Sequence, residues 1–190
     1  MKKHFPFIIV LILSFSIAYA DNENIYTSED VTKKNGIYYE NKTNVSANGV
    51  LKIYYKSGKL RFEVPFKNGK ETSFVKEYYE SGVLQSNWHY KDGKKDGLNK
   101  DYYESATLKN ESLFKDGMKV FATGYYESGI KQIEVPYIDG KMDGRVKIYD
   151  SLGRIDVELI YKNDKLQAGI DYDENGRKKV MSEDRLQIYE

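Results

Sequence analysis

The 190-residue chain contains no cysteine, three prolines, one tryptophan and two histidines, and its acids and bases nearly cancel, at 29 against 30. Without cysteine there is neither a disulfide framework nor a thiolate metal site, so stability must come from packing and backbone pairing. A charge balance this even gives no electrostatic footprint for nucleic acid. One of the two histidines, His4, lies in the opening apolar segment, which leaves His89 to serve any serine or cysteine triad. There is no GxSxG motif to accompany it. His89 shares its repeat position with Pro65, Leu113, Pro136 and Ile160, which reads as a tolerated side chain. The sequence therefore predicts no enzyme, no cofactor and no metal.

Long apolar runs are also missing, with one exception at the start. "MKKHFPFIIVLILSFSIAYA" has the basic start, apolar middle and Ala-Tyr-Ala ending of a secretory signal peptide. The run is too short to cross a bilayer, and no later segment is apolar enough. Residues 1–20 are read as the leader, 21–36 as a linker and 37–190 as the repeat domain. The product is expected to be exported, to the periplasm, the cell surface or the medium, with no membrane span after cleavage. Losing Lys2 and Lys3 leaves 28 basic residues against 29 acidic, a net charge of about −1.

What is abundant is tyrosine, 18 in all, and it recurs with a period. "YYKSGKL", "YYESGVL", "YYESATL", "YYESGIK", "YDSLGRI" and "YDENGRK" place Tyr54, Tyr78, Tyr102, Tyr125, Tyr149 and Tyr172 in one column, at steps of 24, 24, 23, 24 and 23. Such a period is the mark of a repeat architecture. Four residues after each column tyrosine stands a turn glycine, replaced once by Ala106. Eleven residues further comes Gly69, Gly93, Gly117, Gly140 or Asp164, each preceded by Asn or Asp. Asn-Gly and Asp-Gly suit two-residue hairpin turns, which need positive φ at both central positions. Between the turns the residues alternate, as in Leu60-Arg61-Phe62-Glu63-Val64, the period-2 pattern of a half-buried antiparallel strand.

Each unit is thus one β-hairpin. A lone hairpin is marginal in water, whereas hairpins in series pair with one another and share one face. The expected fold is all-β: an elongated, single-layer, antiparallel hairpin array, open and twisted, on the order of 55 Å long for some twelve strands at ~4.8 Å. Its open ends need cover, for which the degenerate first unit (36–53) and the tail "SEDRLQIYE" are candidates. Edge-to-edge self-association is the alternative fate of such ends. The step from the second turn to the next column tyrosine is nine residues in three units and eight in two. The longer step carries Ser73, Gly97 or Gly144, which predicts a bulge there. Pro65 and Pro136 should mark places where the ladder frays.

The pattern "YYESG...L......YKDGKKDG" resembles the variant MORN repeat of secreted and cytosolic bacterial proteins. The likeness extends over roughly 37–190, with Ala106, Asp150, Asp173 and Asp164 departing from it. It implies an elongated hairpin array without a catalytic centre. Some relatives carry antitoxin-like labels.

Two sets of residues remain as sites. The carboxylate column Glu63, Glu111, Glu134 and Glu158 repeats every second strand, about 9.6 Å apart, too far to share one calcium ion. It reads as a solvated face with cross-strand lysine partners. In the doubled tyrosines, neighbouring rings point to opposite faces, so one row can pack while the other stays accessible. Tyr55, Tyr79, Tyr103 and Tyr126, with Trp88 near the middle, are the candidate partner-binding residues. The alternative is that these rings only cover the sheet. The leading functional reading is a non-enzymatic exported scaffold that binds a protein through this aromatic face. The alternatives are attachment to cell-envelope glycan, or neutralisation of an exported toxin.

Overall fold

A computed structural model describes residues 24–189; the expected leader lies outside them. The chain forms an open sheet of 16 strands in which sequence neighbours are spatial neighbours, antiparallel from Gly49–Tyr54 through to Lys178–Val180. The expected hairpin meander is therefore the observed fold. Six turns follow the column tyrosines, each closed by the N–H of its first residue (Tyr55, Tyr79, Tyr103, Tyr126, Asp150 or Asp173) donating to a carbonyl four residues on, and they alternate with the Asn/Asp-Gly type turns. At Asn68-Gly69, Asp92-Gly93, Asp116-Gly117 and Asp139-Gly140 both residues take positive φ, as a type I′ hairpin requires. Asn163-Asp164 does so too, at 49° and 64°, although its glycine is missing.

The unequal step lengths have a structural counterpart. In the nine-residue units Phe66 faces Glu71 but Glu63 faces Lys76, so the return strand carries two extra residues. The chain breaks there into a short strand, Lys70–Glu71, and a long one, Ser73–Tyr78, hinged on Ser73 at φ 58°. Gly97 and Gly144 occupy the same hinge at positive φ. The eight-residue returns, Met118–Tyr125 and Lys165–Tyr172, remain single strands with a one-residue shift. Pro65, His89 and Pro136 all sit opposite the hinge, where their carbonyls accept from Thr72, Asp96 and Asp143. Proline is tolerated because no donor is asked of that position.

The hinge also has a use. It turns the short strands toward the next unit, where the Glu71, Lys95 and Met142 carbonyls accept from Gly93, Gly117 and Asp164 at 2.8–2.9 Å. These bonds form a rail along one edge of the array. The turn at Asp139-Gly140 follows a continuous eight-residue return, and among the described residues it has no such bond.

Both ends are covered. Residues 24–36, read as a linker, contribute the parallel edge strand Ile25–Tyr26 and the strand Val31–Lys34, which pairs with Ile37–Glu40. This hairpin lays Tyr38 on Phe66, stacked at 4.9 Å, and pairs Lys33 with Glu71. At the far end Met181 and the short helix Glu183–Leu186 pack beside Leu159. Buried apolar residues accordingly fall in two clusters: Tyr26, Val31, Ala47, Leu51, Val64, Phe66 and Val75 near one end, and Val135, Val146, Val157, Leu159 and Met181 near the other. Among the described residues no helix is long and apolar enough to cross a membrane.

Candidate functional site

The four candidate tyrosines turn out to tie one unit to the next. The Tyr55 hydroxyl donates to the Tyr78 carbonyl at 2.7 Å, Tyr79 to Tyr102 at 2.8 Å, Tyr103 to Tyr125 at 2.8 Å and Tyr126 to Tyr149 at 2.7 Å. Each ring is half-buried, and each phenol completes the backbone of the following column tyrosine. This is a second rail, on the edge opposite the first. Asp150 and Asp173, which replace the tyrosine in the last units, accept from their own turn instead and pair with Arg154 and Arg177. No strand pattern signals such bonds, because the partner lies a whole repeat away.

Between the two apolar clusters, the same side of the sheet is polar. Where the flanking units place Leu51, Val64, Val75, Val146 and Val157, the middle of the array places Ser86, Asn99, Asp101, Asn110 and Ser112. Ser86 and Asn99 are only 3% and 4% exposed. Asn99 donates to the Gly97 carbonyl at 3.3 Å, while its side-chain oxygen is buried without a partner. An unpaired buried acceptor costs about 1–3 kcal/mol, so this region gives up both apolar burial and hydrogen bonding.

Trp88 borders this polar strip. Its indole N–H donates to Asp101 at 2.8 Å, and Lys95 stands over its ring at 4.1 Å. Burial holds the Lys95 ammonium below the ordinary lysine range, with Asp101 opposing that shift. Trp88 and Tyr79 line one open depression together with Ser86, Asp101, Lys109 and Asn110. Burial, followed by the nearby Glu104 and Asp101 carboxylates, raises the Tyr79 phenol above its usual value. The structure thus brings Trp88 and Tyr79 to one site. Tyr55, Tyr103 and Tyr126 continue along the turn edge, with Arg61 over Tyr55 and Lys109 over Tyr103. The residues that sequence reasoning missed are Asn99, Asp101, Lys109 and Asn110. A column-by-column alignment exposes them: position 99 stands where 51, 75 and 146 are Leu, Val and Val.

The opposite side carries the carboxylate column, and its partners are cations and phenols. Direct cross-strand neighbours run Lys52, Glu63, Lys76, Asn87, Lys100, Glu111, Thr123, Glu134, Lys147, Glu158. Column tyrosines add hydrogen bonds: Tyr125 to Glu111 at 2.8 Å, Tyr149 to Glu134 at 2.7 Å and Tyr172 to Glu158 at 2.6 Å. Among the described residues no group of three or more His, Cys, Asp or Glu is arranged to hold a metal ion. His89 donates from Nδ1 to the Asp96 carbonyl at 2.7 Å and meets the edge of Phe74 at 5.0 Å, which accounts for its ring within the fold.

No curated protein matches the chain. Among solved structures, the chain is similar to part of a crystal structure of a GtfA/B complex bound to UDP and GlcNAc. The identity is 9%, the match covers 67% of this chain and 26% of that one, and the TM-score is 0.27. Residues 47–68 and 75–92 match the MORN repeat variant, a repeat type that is generally non-catalytic. The chain is a hairpin array carrying variant MORN repeats.

Proposed function

We propose that the chain is an exported, non-enzymatic repeat scaffold that binds a protein partner at the polar middle of the array, around Trp88, Tyr79, Asp101 and Lys109. The observation that carries this reading is the interrupted core. Two apolar clusters flank a strip whose buried positions are Ser86 and Asn99, and the Asn99 side-chain oxygen lacks a donor among the described residues. Folding alone gives no reason for polar residues in a valine column, and departures from local consistency concentrate at functional sites. Trp88 and Tyr79 offer rigid amphipathic contact area.

The chain has one tryptophan, and it lies in the depression. Trp88 fluorescence is therefore a direct reporter of occupancy. A partner recovered with the exported chain should shift the emission, and Lys109→Glu should weaken binding at least tenfold while leaving the fold unchanged. Binding without a change at Trp88, or unaffected by Lys109→Glu, contradicts the site. A second reading, cell-envelope glycan, is favoured by the amide and carboxylate of Asn110 and Asp101 beside an aromatic ring. Retention on insoluble cell wall, lost in Lys109→Glu, would favour it.

A further inference from the structure

On the side away from Trp88, the middle of the array exposes large apolar side chains in one stripe. Leu98 faces Leu113, Leu113 faces Phe121, and Phe121 faces Pro136 on neighbouring strands. Phe74 and His89 continue the stripe on the other flank, in edge-to-face contact. Phe74, Leu98, Leu113 and Phe121 are 43%, 45%, 43% and 38% exposed. In the middle the apolar residues stand on this side alone, whereas near the ends both sides carry them, as at Val50 and Leu51.

Beside the stripe runs the charged row. In its central part the order is Lys76, Asn87, Lys100, Glu111, Thr123, Glu134. Reversed end for end and laid on itself, this order sets Lys100 against Glu111, Asn87 against Thr123 and Lys76 against Glu134. The complementarity continues outward, with Glu63 against Lys147 and Lys52 against Glu158. Strict alternation of sign would give opposite charges about any midline between two strands. The two interruptions, Asn87 and Thr123, remove that freedom. Only the midline between Gly97–Tyr102 and Leu108–Lys115 sets the two uncharged positions against each other. The apolar stripe is centred on the same line, with Leu98 against Leu113, His89 against Phe121 and Phe74 against Pro136.

We propose that this face is closed by a second copy of the chain, packed face to face about a two-fold axis parallel to the strands and midway between Gly97–Tyr102 and Leu108–Lys115. A two-fold axis in that direction reverses the strand order while preserving position along each strand. Stripe therefore meets stripe, and charged row meets charged row. Among the described residues Lys100, on the seam, forms no ion pair, and it gains Glu111 of the second copy. A row of balanced sign offers little to a uniformly acidic or basic ligand, but it fits its own reverse. Sheet twist splays the outer strands, so the seam involves the central six, about 29 Å across. That is the small end of the range for specific interfaces, and the dimer is expected to form at micromolar concentration. The surface is separate from the Trp88 depression, and the inference does not depend on the binding role proposed there.

The test uses the chain purified as the cell produces it. Light scattering or sedimentation from about 1 to 100 µM should show a monomer converting to a dimer. Leu113→Glu puts a charge into the stripe at an exposed position and should raise the dissociation constant at least tenfold, with unchanged far-UV circular dichroism. Because the chain has no cysteine, Leu98→Cys is a single-site probe that does not depend on that variant folding. Two copies of residue 98 would lie about 11 Å apart, so a short thiol-to-thiol linker should join them, whereas Lys56→Cys on a turn should remain unlinked. A monomer at every concentration overturns the proposal. So does a dimer indifferent to Leu113→Glu, or one linked as readily through Lys56→Cys as through Leu98→Cys.

Discussion

The ends and the middle of this array share one hairpin and differ in what they bury. Near Val157 and Leu159 the sheet closes on apolar neighbours to 1% and 3% exposure. Two units earlier in the chain, the strands Gly97–Tyr102 and Leu108–Lys115 carry Asn99, Asp101, Asn110 and Ser112 on that side. Backbone pairing and both edge rails continue through the middle, with Tyr79 and Tyr103 on one edge and Gly93 and Gly117 on the other. In a linear array each unit is stable only through its neighbours. The middle therefore holds its shape by borrowing stability from two apolar ends, which leaves its own side chains free for recognition.

The sharpest way to break this contrast is to mutate matched positions. Leu159→Ala should cost about 3 kcal/mol in urea unfolding, as core truncations do. Asn99→Leu, at the equivalent kind of site, should have the opposite sign and stabilise by up to about 1 kcal/mol, because it removes an unpaired buried oxygen. A loss at both sites would show that the middle is a core like the others. Tyr103→Phe removes one bond of the tyrosine rail and should cost about 1 kcal/mol, with the loss seen in the strands on both sides of the Tyr103 turn. Ala106 takes φ 66° where the other units have glycine, so Ala106→Gly should gain somewhat under about 1 kcal/mol.

The smallest effect is with pH, and it falls on the C-terminal half. The Lys131 ammonium, with the Tyr149 hydroxyl, holds Glu134 below the usual carboxylate value of 4.5. Its contribution is full above that value and fades as the pH falls below it. Burial, followed by Glu111 and Glu134, pushes the Tyr125 and Tyr149 phenols from 10 up to about 12. Their contribution is full below 10 and disappears as the pH rises through 12. Urea midpoints should therefore form a plateau between about pH 5 and 9, and a Tyr149→Phe variant should flatten both shoulders.

Turns, strand direction and the hinge residues were legible because each depends on local chemistry. Asn-Gly selects a primed turn, Pro65 and Pro136 refuse to donate, and Gly97 and Gly144 accept a break at low cost. The side of the sheet that faces a core was not legible, since period-2 alternation separates two faces without saying which one is buried. Leu98 and Asn99 alternate apolar with polar, yet the polar residue is the buried one, at 4% against 45%. The bonds of Tyr55, Tyr79, Tyr103 and Tyr126 were hidden for a different reason. Their acceptors are backbone carbonyls of another unit, and a carbonyl leaves no trace in residue identity.

Amide hydrogen exchange on the dilute, monomeric chain addresses the contrast most directly. Amides of Gly97–Tyr102 and Leu108–Lys115 should exchange on the order of tenfold faster than those of Gly144–Tyr149 and Ile155–Lys162, despite the same ladder pairing. Equal protection in the two regions, or slower exchange in the middle, would contradict a centre that relies on its ends.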